Sequence, residues 1–234
     1  MNYSLYIFFG LVPSILWLLF YLRKDKNPEP VRMILKIFFF GFLAALPAVL
    51  IEMGILDFVD SLKLGNSLLP CLIKIFIGVA FIEEFLKYVV IREQALKTRE
   101  FDEPVDAVIY MIIAALGFAG AENILIFFSL GPNFLFTDIL SLGLFRFLGA
   151  TFLHALCSGT LGYFIAISAY KTRKRILLLG LAVVTLLHGL YNFSIIELRA
   201  PWNALIPLVI LLGLAIFLTE AFRKIKKLKS ISRI

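Results

Sequence analysis

The stretch Glu83-Glu84-Phe85-Leu86-Lys87 sets two carboxylates and an ammonium inside a run of otherwise apolar residues. Carboxylates in such surroundings suit hydrolysis, which needs an activated water, a stabilised oxyanion and a proton for the leaving amine. A glutamate in an apolar site has a raised proton affinity, so it can act first as general base and then as general acid. Either Glu84 or Glu83 is the candidate for that role. On a 3.6-residue helix Glu83 and Lys87 are i,i+4 neighbours in the favourable order, while Glu84 points about 100° away. The spacing predicts that Lys87 pairs with Glu83 and leaves Glu84 free for chemistry.

Three more stretches strand polar groups in apolar surroundings. In Gly117-Phe118-Ala119-Gly120-Ala121-Glu122-Asn123 the small residues allow close helix approach and present Glu122 and Asn123 to a helix-bundle interior. His154 with Ser158, and His188 with Asn192, are i,i+4 pairs, and these are the two histidines of the chain. A charged group at the centre of a membrane helix costs about 2.5–3.5 kcal/mol on insertion scales, so each is a functional candidate. A single pair such as Glu83/Lys87, or a single histidine, is explained by packing alone. Both histidines and three glutamates in four consecutive spans are not.

His154 and His188 could hold a metal that polarises a carbonyl, or could donate to the oxyanion directly, with Asn192 or Asn123 assisting. Zinc sites that hydrolyse peptides commonly use three ligands of His and carboxylate type, with a glutamate nearby as base. Glu122, His154 and His188 supply such a ligand set, with zinc first by ligand type and Glu84 or Glu83 left as the base. None of the three is near another in the chain, so no local signature such as His-Glu-x-x-His marks the site.

The elements that must position these groups follow from composition. Of the 234 residues 61% are hydrophobic and 15% aromatic, and apolar runs of about 20 residues recur, the length that crosses the hydrocarbon slab. They cover 3–22, 34–56, 70–91, 105–128, 139–170, 176–197 and 202–222. The expected fold is an all-α polytopic bundle of about seven transmembrane helices in a single integral membrane domain, without internal repeats or a separate soluble domain. The first span has no basic residue before it, unlike a cleavable signal peptide, and is expected to remain as a helix. At 1.5 Å per residue, Glu84 lies about 10 Å from the cytoplasmic end of its span, His188 about 18 Å, and His154 and Glu122 about 25 Å. That spread does not by itself bring the four to one place.

Orientation comes from the loops. Those at 23–33, 92–104 and 171–175, together with the tail from Arg223, hold seventeen of the 23 basic residues, whereas the alternate loops hold Lys63 and Arg199. Basic loops stay cytoplasmic, so the N-terminus is expected outside and the C-terminus inside a cell membrane. The net charge of +7 then reflects topology and contact with anionic headgroups, and needs no nucleic-acid partner. Cys71 and Cys157 both fall inside spans and imply no disulfide framework; they are expected to pack as small interhelical residues.

Taken in order along successive spans, Glu83-Glu84-Phe85-Leu86-Lys87, Phe118-Ala119-Gly120-Ala121-Glu122-Asn123, His154-Ala155 with Ser158, and His188-Gly189 with Asn192 resemble the PrsW family of intramembrane proteases. The flanking 27–31 (NPEPV) and 101–110 (FDEPVDAVIY) resemble that family's cytoplasmic loops. A more distant likeness is to the prenyl-protein and bacteriocin-processing membrane proteases, although Glu122 stands where those carry histidine. The resemblance implies cleavage of membrane-anchored protein substrates, such as release of a membrane-tethered anti-sigma factor. The rival reading is a proton- or ion-coupled transporter using the buried Glu and His residues as a relay. Against it, no repeat pairs Glu83–Lys87 with a counterpart, and Pro13, Pro47 and Pro207 lie outside the spans carrying the stranded polar groups.

Overall fold

The computed structural model describes residues 3–24, 27–65, 67–130 and 135–228. The last six residues of the basic tail therefore lie outside the described residues. The chain folds as α1 (Tyr3–Leu22), α2 (Val31–Ser61), α3 (Leu68–Leu72), a π-helical segment (Ile73–Phe81), α4 (Ile82–Gln94), α5 (Pro104–Ser129), α6 (Phe136–Leu148), α7 (Ala150–Tyr170), α8 (Lys174–Glu197) and α9 (Trp202–Ile225). No strand occurs among the described residues. This is what a bilayer demands of apolar segments, because a helix satisfies every backbone polar group within itself. Among the described residues six helices are long and apolar enough to cross a membrane, with α6 and α7 counted as one.

At the centre stands α5, packed against α7, α2 and α1. It is buried on nearly every face from Pro104 to Ala121, which is why its sequence is apolar all round rather than striped. Pro104 opens the helix, and the Asp106 carboxylate accepts the backbone N–H groups of Glu103 at 2.7 Å and Asp102 at 3.0 Å. Close approach of α2 depends on glycine: a Cβ on Gly117 would come within 2.1 Å of the Phe38 carbonyl oxygen. The peripheral helices instead expose large apolar side chains such as Leu50, Val209 and Ile216, as lipid-facing surfaces do.

Alternate connections share an end of the bundle. Asn27 Nδ2 donates to Glu103 Oε1 at 2.6 Å and Lys226 Nζ donates to the Lys24 carbonyl, drawing the basic loops together. At the opposite end Tyr3 stacks on Phe128 with ring centroids 5.4 Å apart.

Two departures from regular spans bear on the site. The expected span 70–91 is one continuous helical run over 68–94, yet its middle is π-helical, packed between α2 and α8. The wider turn changes the rotation of all that follows, including Glu83. The expected span 139–170 is broken at Gly149, which separates α6 from α7. A Cβ there would lie 2.6 Å from the Tyr191 hydroxyl and 2.9 Å from the Phe145 carbonyl oxygen, so the crowded corner requires glycine.

Candidate active site

Burial of Glu83, Glu84 and Lys87 at the start of α4 is nearly complete. Charges held away from water need partners, and Lys87 provides the central one. Its Nζ donates to Glu84 Oε1 at 2.8 Å, to Glu83 Oε2 at 3.2 Å and to His154 Nδ1 at 2.7 Å, and sits 4.5 Å from the centre of the Phe118 ring. The pairing of Lys87 with Glu83 alone, expected from i,i+4 spacing, is corrected here. The i,i+3 neighbour is on the same helical face, and the ammonium bridges both carboxylates.

The bundle then treats the two glutamates differently. Glu84 is enclosed: Ser158 Oγ donates to its Oε2 at 2.9 Å and His188 Nδ1 to its Oε1 at 3.0 Å. Glu83 instead lines a cavity of about 300 Å³, shared with Glu122, Arg146, His154, His188 and Asn192 and walled by apolar residues including Val79, Leu142 and Phe145. His188 Nε2 stands 3.9 Å from Glu83 Oε2, so one imidazole reaches toward both carboxylates.

His154 is also held at both ring nitrogens. With Lys87 donating to Nδ1, the proton resides on Nε2 and is given to Glu122 Oε2 at 2.8 Å. The two imidazoles meet edge to face, with centroids 5.1 Å apart. α4, α5, α7 and α8 thus bring Glu83, Glu84, Lys87, Glu122, His154 and His188 to one place, despite the different depths counted from sequence.

One ligand atom each from Glu83, Glu84, His154 and His188 lies within 4.8 Å of all the others. Two carboxylates and two imidazoles fit a divalent cation, and an ammonium already drawn to three of these donors marks the spot as one that attracts positive charge. Glu122 contacts the opposite nitrogen of His154 from the one facing this group, and its other oxygen lies 3.1 Å from Arg146 Nη2.

Of the two candidate asparagines, Asn192 is in the cavity wall. Asn123 is turned elsewhere: its Nδ2 donates to the Gly10 carbonyl and to Thr151 Oγ1, both at 3.1 Å, and its Oδ1 accepts from Arg146 Nε. Arg146 escaped sequence reasoning. The available signal was an arginine inside an apolar span, the same signal that marked the glutamates. Cys157 is buried and Cys71 half-buried, and both are free thiols.

Residues 29–219 match the sequence profile of the PrsW family intramembrane metalloproteases. The chain is 30% identical to the Protease PrsW of Bacillus subtilis (strain 168) over 227 residues, covering 95% of each chain. It is 30% identical to the Protease PrsW of Oceanobacillus iheyensis over 205 residues, covering 87% of this chain and 88% of that one. It is 28% identical to the Protease PrsW of Geobacillus kaustophilus over 227 residues, covering 96% and 92%. No solved structure matches the chain significantly.

Proposed function

The chain belongs to the PrsW family of intramembrane metalloproteases, and from that premise we propose that Glu83 is the general base for hydrolysis of a peptide bond in a membrane-anchored protein. The convergence of Glu83, Glu84, His154 and His188 beside a cavity within the apolar bundle carries this reading. Of the adjacent pair, Glu83 is the carboxylate with access to that cavity. It takes a proton from water as the water oxygen attacks the scissile carbonyl, and returns that proton to the amine as the C–N bond breaks. Glu84, bonded by Lys87, Ser158 and His188, is fixed in place and suited to hold or orient other groups.

Glu84, His154 and His188 are the residues we assign to a metal ion, zinc first by ligand type. When bound, the ion would polarise the carbonyl and make the attacking water more acidic. Glu122 was expected as a ligand; its bond to His154 Nε2 supports instead an orienting role, the one a carboxylate behind a metal-binding histidine commonly has. Asn192, in the cavity wall, is placed to bond the substrate backbone.

A relay for ion transport is not favoured, since the relatives are proteases. We further propose that the run 68–94 is a seventh span, that the N-terminus is outside and the C-terminus cytoplasmic, and that the basic end contacts anionic headgroups. A tethered regulator such as an anti-sigma factor suits this arrangement, because a cut within the membrane frees its soluble part. Purified protein in detergent, incubated with a panel of single-span membrane proteins, should yield fragments detectable by mass spectrometry that disappear with Glu83→Gln. Vesicles that move ions while cleaving nothing would overturn the reading in favour of transport.

A further inference from the structure

Arg146 lies in the last turn of α6, three residues before the break at Gly149, and is buried. Its Nε donates to Asn123 Oδ1. Its Nη2 is enclosed, stands 3.1 Å from Glu122 Oε1 as an ion pair, and has no hydrogen-bond partner among the described residues. Arg146 also borders the cavity that holds Glu83, His154, His188 and Asn192, with 11% of its side chain exposed. A buried N–H group without an acceptor costs free energy, so a guanidinium with an unsatisfied donor in the wall of a cavity is suited to an acceptor that arrives with the substrate.

Asn123 accounts for the posture of the guanidinium. Its amide group is tied to α1 through the Gly10 carbonyl and to α7 through Thr151, which aims Oδ1 at Nε of Arg146. Glu122, one residue earlier on α5, stands beside Nη2. With Nε and the planar fork fixed this way, the remaining freedom of the guanidinium is small.

We propose that the Arg146 guanidinium donates to the scissile carbonyl oxygen and to the oxyanion formed from it, and that Asn123 is its positioning residue. The assignment rests on the protease reading above. As water adds, the new C–O bond forms, the carbonyl π pair moves onto oxygen and the water proton passes to Glu83. The alkoxide so formed faces the guanidinium, which keeps all its protons. On collapse the pair returns to the carbonyl, the C–N bond breaks and the amine takes the proton from Glu83. A fixed cation aimed where negative charge develops lowers the barrier without reorganisation, and so acts on kcat more than on substrate binding.

The test is cleavage of one single-span substrate by the wild type, Arg146→Lys and Arg146→Met, with kcat, KM and the Tm of each protein in detergent measured together. Lysine keeps a charge opposite Glu122, so it guards against loss of fold. Arg146→Met should lower kcat by roughly 10²–10³-fold, the cost of removing an oxyanion donor, with KM nearly unchanged. Arg146→Lys should fall between it and the wild type, whatever the order of Tm values. Asn123→Ala should lower kcat less than Arg146→Met, and removing Asn123 from Arg146→Met should cost little more. Three results would overturn the assignment: near-wild-type kcat in both Arg146 variants, an effect on KM alone, or equal losses in Lys and Met that follow Tm. If the wild type itself cleaves nothing, the protease reading fails first, an outcome distinct from failure of Arg146.

Discussion

His188 Nδ1 donates to Oε1 of Glu84 at 3.0 Å, joining residues 104 positions apart in the chain. Because the second nitrogen of the same ring faces Glu83, this contact divides the labour between adjacent glutamates: one is tied down and the other borders open space. That asymmetry makes the pair testable one member at a time.

Replacing Glu83 by Gln keeps the shape and removes the ionisable oxygen, so kcat should fall by about 10²–10⁴-fold while the Tm in detergent stays close to that of the wild type. Glu84→Gln, in contrast, loses an acceptor shared by Lys87, Ser158 and His188 and should lower Tm as well as turnover. Near-normal cleavage by Glu83→Gln would remove it as the base.

Lys87 is enclosed and bonds two carboxylates and an imidazole. Lys87→Met therefore leaves Glu83 and Glu84 facing each other with no ammonium between them, and destabilisation of about 3–5 kcal/mol is expected, as for removal of one partner from a buried pair. A guanidinium or heat denaturation series on the purified variant measures it. An unchanged midpoint would mean that water already reaches the pair.

Elemental analysis of protein purified without chelator should find about one zinc per chain, lost in His188→Ala and in His154→Ala. Glu122→Gln should keep the metal but weaken it, since an amide oxygen still accepts from His154 Nε2; loss of about 10–100-fold in metal affinity is the expected scale. Full activity of metal-free protein would leave a hydrolysis driven by glutamate alone, with the histidines as donors to the oxyanion.

For topology, single cysteines at Thr98 and Lys63 are introduced after replacement of Cys71 and Cys157. An impermeant thiol reagent applied to intact cells should label the cysteine at 63 and spare the one at 98. The reverse pattern would invert the orientation drawn from the basic loops.

What the sequence by itself determined is what depends on short stretches of chain. Apolar runs of bilayer length identify helices, since each helix closes its own hydrogen bonds whatever its neighbours do. The cost of burying charge singles out Glu83, Glu84, Lys87, Glu122, His154 and His188, because that cost belongs to each residue. The tertiary structure decided which atoms meet. Spacing along α4 allowed Lys87 to meet either glutamate, but it could not tell that Glu83 and not Glu84 borders the cavity, because a side chain's direction in the bundle depends on helix rotation, here altered by the π-helical segment at Ile73–Phe81. Arg146 reaches the site because the chain turns at Gly149, and Asn123 serves Arg146 because Gly10 and Thr151 claim its amide group. These relationships join residues distant in sequence through the tilt, rotation and crowding of packed helices, and no period in a single strand of sequence encodes those quantities.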